Sequence, residues 1–163
     1  MVKDSNYRLN VGIIIVNDNG KLLLCKRSNS NNWQFPQGGI DFGEKPLNAA
    51  IRETFEEVGI KSNCIEMIAE TNNWYKYDVP INKRKKNFLQ KKFLGQKQKW
   101  FLFKLIKNCK VSFANDPANE FEEHKWVSYW HPITKIVSFK KDVYRNALLE
   151  FKETYSNMFS NKN

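Results

Sequence analysis

Long hydrophobic runs are missing from this chain of 163 residues. The longest, residues 11–16 (Val-Gly-Ile-Ile-Ile-Val), is strand-sized and far short of the ~20 apolar residues of a membrane span. The first residues, Met-Val-Lys-Asp-Ser-Asn, hold no apolar segment of the signal-peptide kind. No membrane association and a cytoplasmic location are therefore expected. Cysteine is scarce: Cys25, Cys64 and Cys109 are odd in number and lack metal-type spacing. Reduced, structural thiols are the expectation. His124 and His131 lie in no motif that would make either a general base. There is no internal repeat and no interdomain linker, so residues 1–163 are expected to form one domain with its core at about 7–155. A hydrophobic content of 41% excludes a disordered chain.

Positive charge is in excess. Lys and Arg number 27 against 17 acids, a formal charge of +10. An even spread of lysines would be a solubility surface, but here they crowd. Lys83, Arg84, Lys85, Lys86, Lys91, Lys92, Lys97 and Lys99 share one segment with Phe88, Phe93 and Trp100. Basic residues interleaved with aromatic ones suit a phosphate backbone and its bases. A mobile solvated loop is the plainer alternative.

Hydrophobic patterning predicts strands at 11–16 and 21–26, joined as a hairpin through Asn19-Gly20. Residues 33–37 are extended, because Phe35 precedes a proline. A helix is expected over 46–58, with Pro46 in its first turn and Gly59 as its stop. Further strands are expected at 65–71, 74–79, 100–106 and 126–127, and a terminal helix at 140–155. That helix carries one stripe of Tyr144, Ala147, Leu148, Phe151 and Tyr155, which reads as core. The polar tail 160–163 is expected to fray. Strands and helices alternate in a mixed α/β pattern.

Residues 38–60 carry the densest chemistry. A Gly-rich turn leads into a helix bearing Arg52, Glu53, Glu56 and Glu57. At ~3.6 residues per turn, Glu53 and Glu57 are one turn apart with Glu56 beside them. Carboxylates gathered this way repel unless neutralised, and the hard cations Mg²⁺ or Mn²⁺ do so through oxygen ligands. Leu47, Ala50, Ile51, Thr54 and Val58 make the opposite face apolar. A solvated acidic helix would explain the charges but not the fixed spacing of the flanking glycines.

That stretch resembles the Nudix box, G-x5-E-x7-R-E-U-x-E-E-x-G-U, where U is a bulky aliphatic residue. Gly38, Glu44, Arg52, Glu53, Glu56, Glu57, Gly59 and Ile60 fall on its fixed positions. Thr54 replaces the first U and is expected to pack in its place. Residues 7–12, 33–39, 95–102, 126–130 and 137–144 extend the likeness to the bacterial RNA pyrophosphohydrolase branch, also described as dinucleoside polyphosphate hydrolases. The likeness spans about 7–151 and is weakest at 83–92.

The resemblance implies a single Nudix-type α/β domain, a mixed β-sheet sandwiched between α-helices with a loop-helix-loop catalytic box. It implies a metal-dependent hydrolase that converts 5′-triphosphate or diphosphate RNA ends to 5′-monophosphate and so promotes mRNA decay. Glu53, Glu56 and Glu57 would bind the metal, with backbone near Gly38 and the carboxylate of Glu120 completing its shell. Glu53 is the preferred base, with the other box glutamates and Glu120 as alternatives. Gly38, Glu44, Arg52 and Gly59 would be structural, Arg52 pairing with Glu44. Arg8 and Phe139 would sandwich a base, while Arg27, Gln37, Lys97, Lys99 and Lys140 would contact phosphates. Two other readings stay open: hydrolysis of dinucleoside polyphosphates such as diadenosine tetra- or pentaphosphate, and an inactive Nudix fold serving as an RNA-binding module. Intact Glu53, Glu56 and Glu57 argue against the last. The sequence names no protein partner that would stimulate the activity.

Overall fold

The computed structural model describes residues 4–160, so the expectations for the first three residues and for 161–163 of the tail lie outside it. Strand β1 (Tyr7–Val16) is the axis of the molecule. It pairs in parallel with β7 (Gly95–Leu105), from Tyr7 opposite Gly95 to Val16 opposite Lys104. The remaining strands join antiparallel. These are β2 (Leu22–Arg27), β3 (Trp33–Gln34), β4 (Gln37–Gly39), β5 (Ile65–Glu70), β6 (Tyr75–Asp78) and β8 (Phe121–Val127). The path β3-β2-β1-β7-β5 is extended by β4 on β1, β6 on β7 and β8 on β2.

Helix α1 (Pro46–Val58) covers one face of this mixed sheet and helix α4 (Lys141–Phe159) the other. Short helices α2 (Lys86–Gln90) and α3 (His131–Lys135) fill connections. Because both faces are covered, β1 is apolar without alternation along most of its length. Ile14 and Val16 pack toward Tyr144, Leu148 and Phe151 of α4, while Val11, Ile13 and Ile15 pack toward Ala49, Ala50 and Val58 of α1. Each fully buried Ile or Phe here stabilises by about 1.5–3 kcal/mol. Gly12 is needed for close approach: a Cβ there would sit 2.3 Å from the Trp100 ring.

The hairpin between β1 and β2 forms as expected. Asn17 Oδ1 accepts from Asn19 N and Lys21 N at 3.0 Å each, and Gly20 takes φ +76°. The two strands pair only at Val16–Leu22, because β4 takes the edge of β1 lower down. Ile13 N donates to Pro36 O at 3.0 Å, and Gly38 lies opposite Val11. That short pairing carries the Gly-rich turn to the start of the box.

Three expectations are corrected. Strand β7 begins at Gly95 and not at residue 100. Its first half alternates polar residues, Gln96 and Gln98 buried against Lys97 and Lys99 more exposed, so it reads as a basic loop. Strand β8 is likewise longer than residues 126–127, its middle (Glu122, Glu123, His124) being exposed. The thiols are not all reduced: Cys64 and Cys109 form a disulfide with Cα atoms 6.2 Å apart, and only buried Cys25 is free among the described residues. The bridge ties the start of β5 to the connection after β7, partners 45 residues apart that no local spacing reveals. Among the described residues no helix is long and apolar enough to cross a membrane.

The bridge closes a long loop in the unfolded chain. A closure of 45 residues should stabilise by about 2–4 kcal/mol. Reduction, or Cys109→Ser, should lower the unfolding free energy by that amount in a denaturant titration, while the Cys25→Ser variant should show the same loss on reduction as the parent.

Candidate active site

Helix α1 is held against its approach loop by one guanidinium. Arg52 donates from Nε and Nη2 to the two Glu44 oxygens, each at 2.9 Å, and from Nη2 to Gly39 O at 2.8 Å. Its Nη1 reaches Glu53 Oε1 at 2.9 Å and Glu56 Oε2 at 3.2 Å. This is a bidentate fork used as a bracket, a task lysine could not perform. Thr54, the departure from the box pattern, is fully buried and its hydroxyl donates to Ala50 O at 2.7 Å. Gly59 ends the helix at φ +71°, its N–H on Phe55 O, with Ser112 so close that a Cβ would sit 2.6 Å from Ser112 O.

The box glutamates face a cavity of about 460 Å³. Gly38 lies against Glu53: a Cβ at Gly38 would stand 2.0 Å from the Glu53 carboxylate carbon. Glu57 is buried and accepts from Gln37 N at 3.2 Å. Burial raises the Glu53 carboxyl to about 7 against the pull of Arg52. Burial, then the charges of Glu53 and Glu120, push Glu57 well above the carboxylate range. Glu56 is the most open of the three.

The donor set suits a hard divalent cation in kind. All are oxygens, Gly38 carries no side chain where it abuts the Glu53 carboxylate, and burial raises the Glu53 and Glu57 carboxyls, a cost that a bound cation would offset. Among the described residues no three acidic, His or Cys side chains converge as a ready-made cage, since Arg52 draws Glu53 and Glu56 to itself.

The lining of the same cavity is also basic and aromatic. Arg8, Arg27, Gln37, Phe139 and Lys140 line it together with Glu53, Glu56, Glu57 and Glu120. Phe139 is half-buried, 5.8 Å from the Tyr77 ring, with Lys83 Nζ 5.7 Å above it. Lys140 is buried, and its Nζ reaches Gln34 Oε1 at 3.1 Å and Gln37 Oε1 at 3.4 Å. Burial lowers its ammonium to about 7. Arg27 Nη2 and Lys85 Nζ each stand 3.7 Å from the Glu120 carboxylate.

Lys97 and Lys99 are not brought into this cavity. They project from the other face of β7, near Trp74, and Lys97 pairs with Asp4 at 3.1 Å. The strand's period of two explains it: Gln96, next to Lys97, is the residue that lines the cavity. Sequence reasoning also missed Asn10, Gln34, Tyr77 and Gln98. Gln98 Nε2 donates to Asn10 Oδ1 at 2.9 Å and to Gln37 Oε1 at 3.3 Å, and Gln37 Nε2 donates to Tyr77 Oη at 3.2 Å. Polar residues two apart in β1 and β7 were the available signal.

The NUDIX domain family matches residues 6–147. This chain belongs to the Nudix family. It is 46% identical over 158 residues to the RNA pyrophosphohydrolase of Francisella tularensis subsp. mediasiatica, covering 94% of this chain and 98% of that one. It is 46% identical over 153 residues to the RNA pyrophosphohydrolase of Aliivibrio fischeri, covering 93% and 89%. Among solved structures, a C. elegans Ap4A hydrolase binary complex matches with a TM-score of 0.65 at 21% identity, over 94% of this chain and 98% of that one. A NUDIX hydrolase from Listeria monocytogenes matches with a TM-score of 0.69 at 22% identity, over 92% and 95%. At that identity the structures speak for the fold alone, and the Nudix fold is the one described above.

The raised carboxyls make a pH prediction for protein freed of divalent metal. A carboxyl at about 7 when folded and 4.5 when free favours the folded state fully below 4.5 and loses that favour as pH rises through 7. Wild type minus Glu53→Gln isolates this contribution from the histidines. The stability difference, read by denaturant titration from pH 4.5 to 7.5, should fall steadily for wild type relative to the variant.

Proposed function

We propose that the protein is an RNA 5′-pyrophosphohydrolase that uses Mg²⁺, or Mn²⁺ in its place, and acts in the cytoplasm on mRNA. The observation that carries this is one cavity whose lining brings Glu53, Glu56 and Glu57 together with Arg8, Phe139 and a basic cluster of Lys83, Arg84 and Lys85. A 5′-triphosphate joined to a base and a chain needs oxygen donors for a cation, cations for its phosphates and a ring for its base. The relatives named above carry the same activity in their names.

In this reading Glu53, Glu56, Glu57, Glu120 and the Gly38 carbonyl supply the oxygen donors. A divalent cation held there would screen the phosphate charge and make the attacking water more acidic. Glu53, preferred among the box glutamates, would take the proton of the attacking water. Water oxygen bonds to phosphorus, one anhydride bond breaks, pyrophosphate leaves, and the RNA keeps a single 5′-phosphate. Arg27 and Lys140 face the phosphates, and Arg8 and Phe139 offer a guanidinium and a ring between which a base stacks. Lys97 and Lys99 have no part in holding the phosphates that are cleaved.

The test is a side-by-side assay of triphosphate RNA, diphosphate RNA and diadenosine tetraphosphate with Mg²⁺. Glu53→Gln, Glu56→Gln and Glu57→Gln should each lower turnover by about 10²–10⁴-fold with the fold intact. Near wild-type rates in all three overturn the site. Strong preference for diadenosine tetraphosphate makes the protein a dinucleoside polyphosphate hydrolase, and no hydrolysis with retained RNA binding makes it a binding module.

The basic cluster predicts salt dependence. Each phosphate neutralised on a single strand contributes about −0.7 to the slope of log affinity against log salt. Replacing Lys83, Arg84 and Lys85 together by Gln should flatten that slope by about 1–2 and weaken a long triphosphate RNA more than diadenosine tetraphosphate. Equal affinities in filter binding across the salt series would remove the cluster from the site.

A further inference from the structure

The connection 106–120 brings Glu120 to the cavity, and its end is built around one side chain. Ser112 N donates to Val58 O at 2.8 Å, and Phe113 packs on Phe121 with ring centroids 6.3 Å apart, so the middle of the connection is anchored to the body. The chain must then reverse within a few residues to enter β8 at Phe121. Asp116 makes that reversal. Its Oδ1 accepts from Ala118 N at 3.0 Å and its Oδ2 from Glu120 N at 2.7 Å. Its backbone carbonyl accepts from Asn119 N at 3.1 Å. Asn119 takes φ +50°, a left-handed conformation that Asn tolerates better than most residues. Ser28, at the end of β2, closes the other side: its Oγ donates to Asn119 O at 2.6 Å and its N–H to Glu120 O at 2.8 Å.

Both backbone groups of Glu120 are therefore fixed, its N–H by Asp116 and its carbonyl by Ser28. Its carboxylate is not fixed in that way. Arg27 and Lys85 stand 3.7 Å from it, beyond hydrogen-bond distance. Those cations attract the carboxylate without hydrogen-bonding it, so what the turn supplies is a fixed backbone position from which the carboxylate reaches the cavity. A carboxylate at 116 also adds negative charge near a buried acid and pushes Glu57 further up. Two charge-assisted hydrogen bonds offset that cost, and an uncharged residue would avoid it.

We propose that Asp116 is a positioning residue that, with Ser28, holds Glu120 at the place where its carboxylate serves the reaction. This rests on reading Glu120 as a carboxylate of the active site.

The experiment measures kcat, KM for triphosphate RNA and the Mg²⁺ concentration for half-maximal rate. The variants are Asp116→Ala, Asp116→Asn and Ser28→Ala, each alone and combined with Glu120→Gln. Asp116→Ala should lower kcat by about 10–100-fold and raise the Mg²⁺ requirement, as loss of a supporting partner does, with KM changed less than about threefold. Asp116→Asn keeps one acceptor and should lose less. Ser28→Ala should show the same pattern more weakly and carries the test if Asp116→Ala fails to fold. In the Glu120→Gln background none of the three should cost anything further, because the group they position is gone. Losses that multiply with Glu120→Gln overturn the proposal, as do equal losses in Asp116→Ala and Asp116→Asn, which would mark a charge effect. Full activity in Glu120→Gln removes Glu120 and this proposal together, while the reading of Glu53, Glu56 and Glu57 stands or falls on its own variants.

Discussion

The parallel pairing of β1 with β7 is the constraint on which the rest depends. It runs unbroken from Tyr7–Gly95 to Val16–Lys104, and both faces of its apolar half are sealed by helices. The two cores on either side share these strands, so neither helix can shift without disturbing the other's packing. At the polar end the same pairing aligns Arg8 with Gln96 and Asn10 with Gln98. The frame that stabilises the molecule thus also spaces the floor of its cavity.

Electrostatic opposition organises what is hung on that frame. Arg52 gathers Glu44, Glu53 and Glu56 around one charge, yet it leaves Glu57 to the buried interior. A protein of net charge +10 still gathers Asp41, Glu44, Glu53, Glu56 and Glu57 within residues 41–57. The carboxamides of Gln34 and Gln37 hold the buried Lys140 ammonium without neutralising it. The cavity lining therefore carries groups held away from their ordinary protonation behaviour by burial, acidic at Glu53 and Glu57 and basic at Lys140.

The box was legible because it is local. Its glycines, its Arg–Glu bracket and its helix lie within residues 38–60, where spacing maps directly onto geometry. Strand cores at 11–16 and 65–70 were legible from apolar runs. The polar ends of β7 and β8 were not, because Gln96, Gln98 and Glu122–His124 contain no apolar alternation to read. The misplacement of Lys97 and Lys99 follows from that: without the strand's starting point at Gly95, the face of each lysine is undefined. The Cys64–Cys109 bridge and the Asp116 turn were hidden for another reason, since both depend on partners brought together only by the finished sheet.

The parity of β1 has a consequence for chain length. Even-numbered Arg8 and Asn10 serve the cavity, and odd-numbered Val11, Ile13 and Ile15 serve the core under α1. Adding or deleting one residue between Asn10 and Val11 would exchange these assignments for everything upstream of the edit, because a strand turns over at each step. Leu9 would then face the cavity and Arg8 the side of the box helix. The connection 106–120 carries no such alternation before Asp116. Insertions and deletions should therefore be filtered very differently along this chain, harshly in the first strand and mildly in the exposed stretch 106–108.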